Sequence, residues 1–458
     1  MTRARGTTDI QLEAPTVKSA ETVPAAEDRS YLGFILSAFA IALGGGFLIA
    51  ILLPLAESGT IAGAERVPRL IQAHGWAQLQ GWAGLFVAGM ALRLLPRFAG
   101  RRPLQRRLNL AVLGLLVPAV ILRTVAEPFG TGSSGDALVL VAAVVGAAGT
   151  AIVAGVVIVT LQRGRRKREP WRYFALAGAA CWLLWAALMV AGGIKAAEQS
   201  RYTPATFDDG LTWIVMLGAV GNFIWCVQSR SVPVFFGRKT PTLRRAVPPG
   251  ALLNIGVALI AISLLPVGDS AAARLSGAGL ACAGVATALL APLCGAVWGK
   301  ATRLRPRARA ASQFVLAGNL AAVLGGVLLA WAAIDSLARG EFAATALRDA
   351  ARHSIGVGLI TMLILGMVQL VAPVFALSRA EARPPALWER AVFWLMLASL
   401  VLRVVAALLL GHMDEVSRLH LVSTSGVLAW AGLALFATMI VRAIGREPRM
   451  KALLGVPV

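Results

Sequence analysis

Charge is scarce in this 458-residue chain: Asp, Glu, Lys and Arg make up 14% of it, where a soluble globular domain carries roughly a quarter. That shortage excludes a soluble enzyme, and with it a disordered chain, which would be rich in charge and poor in apolar residues. Segments of about ten residues with alternating polarity are also missing, which excludes a membrane-spanning β-barrel. Cysteine is rare. Cys181, Cys226, Cys282 and Cys294 all fall inside apolar runs. Cys282 and Cys294 would lie about 18 Å apart along one helix and so cannot pair there, and all four read as small buried hydrophobes. Residues 1–30 hold no apolar stretch of the signal-peptide kind and are expected to form a disordered cytoplasmic tail.

Apolar residues dominate what is present, at 58% of the chain and a mean hydropathy of +0.74. They fall into a dozen runs of about 18–25 residues, each long enough to cross a bilayer core as a helix. The runs lie near 31–56, 70–95, 108–125, 137–161, 172–193, 208–228, 249–266, 272–298, 311–334, 350–375, 386–410 and 417–443. The expected fold is all-α: a polytopic membrane bundle of twelve transmembrane helices over 31–443, followed by a cytoplasmic tail over 444–458. Glycines within the runs, such as Gly44, Gly45 and Gly46, read as close-packing points between helices.

A formal net charge of +22 invites a nucleic-acid reading, but its placement supports another. Arg97, Arg101, Arg102, Arg106 and Arg107 follow the second run. Arg163, Arg165, Arg166, Lys167 and Arg168 follow the fourth. Arg238, Lys239, Arg244 and Arg245 follow the sixth, and Lys300, Arg303, Arg305, Arg307 and Arg309 the eighth. The exits from odd-numbered runs are short and nearly neutral. Lys and Arg beside helix ends mark the cytoplasmic face, so both termini are expected in the cytoplasm. The partner implied by this charge is the lipid bilayer, not nucleic acid.

Three helix ends repeat a pattern. The second run closes with Pro96-Arg97-Phe98, followed by Gly100 and Pro103. The sixth closes with Pro233-Val234-Phe235, followed by Gly237 and Pro241, and the tenth with Pro373-Val374-Phe375, followed by Pro384. The intervals between the prolines are 137 and 140 residues. Proline ends helices anyway. Three occurrences at nearly one spacing and in one topological place nevertheless predict a four-helix unit used three times, a pseudo-threefold ring. Transporters built as two halves repeat differently.

The chain has four histidines, and all are predicted at the outer face. His74 opens the second helix and His353 the tenth. His412 lies in the loop before the last helix, and His420 starts that helix. His74 precedes Pro96 by 22 residues and His353 precedes Pro373 by 20, which sets the two imidazoles within about 3 Å of one depth. Such a pair can take both axial positions of a haem iron. It can also help hold copper or zinc, or each ring can simply be an interfacial group bonded to a loop. The sixth helix, opening Phe207-Asp208-Asp209-Gly210, and the seventh contain no histidine. No Asp or Glu falls in the middle of a helix, so no proton path across the bilayer is visible. Arg93 can snorkel to the cytoplasm. Arg403, deeper in the eleventh helix, is expected to face the bundle and to meet an anionic group such as a haem propionate.

The stretch His74-Gly75-Trp76-Ala77-Gln78-Leu79-Gln80-Gly81-Trp82-Ala83-Gly84-Leu85-Phe86, with Leu94-Leu95-Pro96-Arg97-Phe98, resembles the NnrS family and the related second helix of haem–copper oxidase subunit I. His353-Ser354-Ile355-Gly356-Val357-Gly358 is similar to the late His-x-x-x-x-Gly segment of NnrS proteins, and Ser229-Arg230-Ser231-Val232-Pro233 to their central Arg-x-x-Pro element. The resemblance covers about a quarter of the chain. It implies a haem-binding protein of the bacterial inner membrane, associated with nitric oxide response and denitrification, with copper also reported for the group. It carries the low-spin haem ligands onto His74 and His353. The small gas or a redox partner would be its counterpart, and enzymatic activity is left open. The family's His-x-His-Glu is here His74-Gly75-Trp76-Ala77, and the oxidase copper-site histidines have no counterpart in helices six and seven. A complete binuclear reductase centre is therefore not expected, and a second metal would need His412 or His420. Two other readings remain at this level. One is a carrier for a small solute, for which Asn222, Gln228, Asn254 and Asn319 are the few polar groups within helices. The other is a histidine-liganded copper or zinc protein without haem.

Overall fold

The computed structural model describes residues 29–102, 106–164, 168–236, 238–295, 306–342, 345–375 and 386–453. Among these residues there are no strands. Twelve helices are long and apolar enough to span a membrane. They are α1 (Ser30–Glu57), α2 (Ala64–Phe98), α3 (Arg106–Phe129), α4 (Gly132–Arg163), α5 (Pro170–Glu198), α6 (Ala205–Val234), α7 (Leu243–Ile262), α8 (Asp269–Cys294), α9 (Ala311–Arg339), α10 (Thr345–Gln369), α11 (Leu387–Leu408) and α12 (Glu415–Arg442). The backbone helix of α12 continues to Leu453, into the stretch expected to be a tail. Most of the expected N-terminal tail, and Pro103, Gly237 and Pro384 of the repeat, lie outside the described residues.

Inner and outer helices are distinct. In α2, α6 and α10 the most apolar windows are 83, 89 and 78% buried, whereas no other helix exceeds 56%. The outer helices pack in three arcs: α3 with α4 and α5, α7 with α8 and α9, and α11 with α12 and α1. Each inner helix is thus grouped with three outer ones, a threefold arrangement of four-helix units. Within it α6 meets both α2 and α10.

The inner helices share one more feature. Each widens into a π-helical stretch, over Ala77–Gly84, Ile214–Val220 and Ser354–Thr361. Their starts stand at the same 137- and 140-residue intervals as the three prolines. The widening has a local cause. A Cβ at Gly84 would meet the Leu79 carbonyl at 2.9 Å, and one at Gly221 the Met216 carbonyl at 3.1 Å, each five residues back. Glycine is what tolerates that approach. In α10 the Thr361 hydroxyl donates instead to the Gly356 carbonyl, also five residues back, at 3.0 Å. Such π-bulges collect at functional sites because they offset side chains that a regular helix would stack.

Candidate functional site

The inner helices begin earlier than hydropathy predicts, at Ala64 and Thr345. His74 and His353 are therefore set inside α2 and α10, just before the π-helical stretches, and do not open the helices. Both line one cavity of about 550 Å³, bounded by α1, α2, α6, α10, α11 and α12 at the end remote from the basic loops.

Each imidazole is held by a carbonyl. His74 Nδ1 lies 2.9 Å from the Gly46 oxygen, and His353 Nδ1 lies 2.9 Å from the Asp349 oxygen. A carbonyl accepts only, so Nδ1 carries the proton in both rings and Nε2 carries the lone pair. Among the described residues neither Nε2 has a hydrogen-bond partner. Metal-ligating histidines are oriented in this way, with one nitrogen tied back and the other left free. Gly46 supplies its carbonyl at the end of a π-helical stretch of α1, Ala42–Gly46, where a Cβ would meet the Gln78 amide at 2.9 Å. The glycine run therefore does more than pack helices: it lets α1 approach close enough to hold His74.

The cavity is amphipathic. Its apolar part is lined by Trp82, Met216, Val357 and Ile360, and Trp82 Nε1 donates across it to Thr361 Oγ1 at 3.1 Å, joining α2 to α10. Its charged part holds Glu57, Asp349, Arg352, Arg403, Glu415 and Arg418. Arg403 faces inward as expected, and the anion it meets is Asp349, at 2.7 Å and 3.0 Å. Asp349 Oδ1 also stands 3.2 Å from His353 Nδ1. Arg352 pairs with Asp209 of α6. Open space adjoins both histidines: a Cβ on Gly75 would touch nothing within 4 Å, and one on Gly356 only Met216 Cε at 3.9 Å.

The other two histidines lie apart from this cavity. His412 is an exposed turn residue, and exposed His420 shares a 3.1 Å hydrogen bond through Nε2 with Thr60 Oγ1. Among the described residues no group of three or more His, Cys, Asp or Glu side chains could hold a metal ion. Of the polar residues weighed for a carrier, Asn222 and Asn254 bond each other at 2.8 Å and their own helix carbonyls and Asn319 bonds the Val315 carbonyl, whereas the buried amide of Gln228 has no hydrogen-bond partner among the described residues.

Sequence reading missed Asp349, although it stands one helical turn before His353. It also missed the Arg123–Glu127 pair in α3. The third helix was expected to end at 125, which left Glu127 in a loop. The helix runs to Phe129 instead, and both side chains are buried, at 2% and 0% exposure.

Twelve helices around three buried, π-widened inner ones, with two imidazoles on one amphipathic cavity, define a polytopic membrane protein with a candidate cofactor site. Comparison with known families matches residues 29–445 to the family described as Cytochrome C and Quinol oxidase polypeptide I. The match spans nearly the whole bundle, and the chain belongs to this family. A search of curated proteins returns no significant match.

Proposed function

We propose that the chain is a haem-binding protein of the bacterial inner membrane, with His74 and His353 as the two axial ligands of a single haem. The observation that carries this reading is the pair of carbonyl-tethered imidazoles on one cavity, each with a free Nε2. The residues present suit the group. The apolar part accommodates a flat macrocycle and open space adjoins both ligands, while Arg403, Arg352 and Arg418, each already paired with a carboxylate, are the cations that acidic substituents would have to share. When bound, haem supplies one-electron chemistry. The chain's own part is to fix both ring orientations and exclude bulk water, with Asp349 strengthening the basicity of His353.

Two histidine ligands to one haem would suit electron transfer or sensing better than gas reduction. The two remaining histidines are exposed and separate from the cavity, so copper is not part of the reading. A role in nitric oxide response rests on the resemblance of the His74 and His353 segments to NnrS proteins. Basic loops face the cytoplasm, with both termini on that side.

Haem and metal analysis of the purified protein tests the proposal. About one haem per chain, without stoichiometric copper or zinc, is expected. Zinc or copper in its place, or failure to take up haem on reconstitution, would overturn it.

A further inference from the structure

A second cluster of buried polar groups lies against α2, on the side turned away from the cavity. Arg123 donates through Nε and Nη2 to the two carboxylate oxygens of Glu127, at 3.1 Å each. Nη2 also donates to Thr203 Oγ1 at 3.1 Å, and the guanidinium lies 4.5 Å from the ring centroid of Trp76. Trp76 in turn packs on Trp185 of α5 at 5.5 Å. Thr203, fully buried in the α5–α6 connection, is gripped a second time. Its N–H donates to Gln72 Oε1 at 3.0 Å, and its carbonyl accepts from Gln72 Nε2 at 2.5 Å. The connection itself is pinned: Ser200 and Arg201 sit in the left-handed region at φ 51° and 69°, and Arg201 bonds Asp136 of α4 at 2.9 Å.

Gln72 and Trp76 stand four residues apart on one face of α2, with His74 midway between them in sequence. At about 100° per residue, His74 projects roughly opposite the midpoint of that face. The cavity-lining positions of α2 are Ile71, His74, Gly75, Gln78, Leu79, Trp82 and Ala83; in the regular turn before the π-helical stretch these are Ile71, His74 and Gly75, and Gln72 and Trp76 lie outside them. A grip on Gln72 and Trp76 therefore sets the rotation of α2, and with it the direction in which His74 points.

We propose that the buried Arg123–Glu127 pair, acting through Trp76 and Thr203, is a positioning device for His74. Stability alone is a poor reason for such a pair, because a buried ion pair is often no better than well-packed apolar residues. The planar fork of Arg123 gives what an apolar contact lacks: two bonds to Glu127, one to Thr203 and a flat face on Trp76, all in fixed directions. The inference rests on the reading of His74 as a haem ligand, and the experiment separates the two.

Low-spin haem electron paramagnetic resonance and haem retention would be measured on the full chain, wild type against Arg123→Lys, Thr203→Val and Gly284→Ala. Arg123→Lys keeps the charge and loses the fork, while Thr203→Val keeps the ion pair and loses the bond to it. Gly284→Ala sets a methyl 2.5 Å from the Gly326 carbonyl at the α8–α9 contact, far from α2, and controls for general loosening. The first two variants should shift the low-spin g values and weaken haem retention by about tenfold, as changes behind a metal ligand do. Gly284→Ala should shift neither. If Arg123→Lys does not fold, Thr203→Val decides alone. Wild-type signals in the folded variants, or an equal shift in Gly284→Ala, overturn the positioning role. A wild type that takes up no haem overturns the haem reading first.

Discussion

Replacing Asp349 by asparagine isolates what a single carboxylate contributes to the cavity. Its oxygens stand 2.7 Å and 3.0 Å from the Arg403 guanidinium and 3.2 Å from His353 Nδ1. The backbone carbonyl that holds His353 at 2.9 Å belongs to the same residue and survives the change. Asparagine has nearly the same shape, so the ring stays in place and only the charge is lost. A hydrogen bond to a charged group contributes about 1.5–3 kcal/mol, and the amide retains one acceptor for Arg403, so roughly half of that is lost. Removing a carboxylate behind a ligating histidine typically weakens binding about 10–100-fold, and the tenfold end equals about 1.4 kcal/mol. The two figures agree. If that energy is lost from the oxidised, more positive state alone, the midpoint potential rises by about 59 mV for one electron. Haem titration followed by absorbance, then spectroelectrochemistry, measures both quantities. Affinity unchanged within about twofold and a potential that does not rise would refute the assignment of Asp349 behind His353.

Glycine substitutions should separate cavity from packing. Gly356→Leu projects into open space beside Met216 and should cost about tenfold in haem retention, with thermal unfolding in detergent little changed. Gly358→Ala, whose methyl would lie 2.3 Å from Ala321 Cβ, should instead destabilise the α9–α10 contact by about 1–3 kcal/mol. Trp82→Phe removes the 3.1 Å bond to Thr361 and should lower stability by about 1 kcal/mol in the same unfolding assay. At the entrance to α12, Asp414 accepts the Ser417 N–H at 2.9 Å, which lowers its pKa below the ordinary carboxylate range. Its contribution is therefore present above that range and lost as pH falls through the lowered value. Amide-exchange protection factors at residues 415–418, taken relative to the intrinsic rate at each pH, should fall in Asp414→Ala at neutral pH, and in wild type only on strong acidification.

Twelve helices were legible because each apolar run is long; the orientation remains an expectation that rests on the arginine clusters after every second run. The threefold arrangement was legible in three prolines, although its structural counterpart is the π-helical widening of α2, α6 and α10. Widening leaves almost no mark in hydropathy: Gly84 and Gly221 permit it, but many glycines do not produce it. The His74 and His353 pair was found from depth alone, a one-dimensional measure that bundle packing then brings to one cavity. The remainder depended on contacts distant in sequence. Gly46 holds His74 across 28 residues, and Arg123 reaches Thr203 across 80. Asp349 could have been found, since a carboxylate four residues before a histidine shares its helix face. Hydropathy ended α3 too early because Arg123 and Glu127 are charged, and their mutual pairing is what lets the helix continue while buried.

Optical and electron paramagnetic resonance spectra of the detergent-solubilised protein, compared with His74→Ala and His353→Ala, test the central claim most directly. Wild type should show a low-spin, six-coordinate haem whose signal disappears in both single variants. A low-spin signal that persists without either imidazole would contradict the account, because the iron would then be held by other side chains.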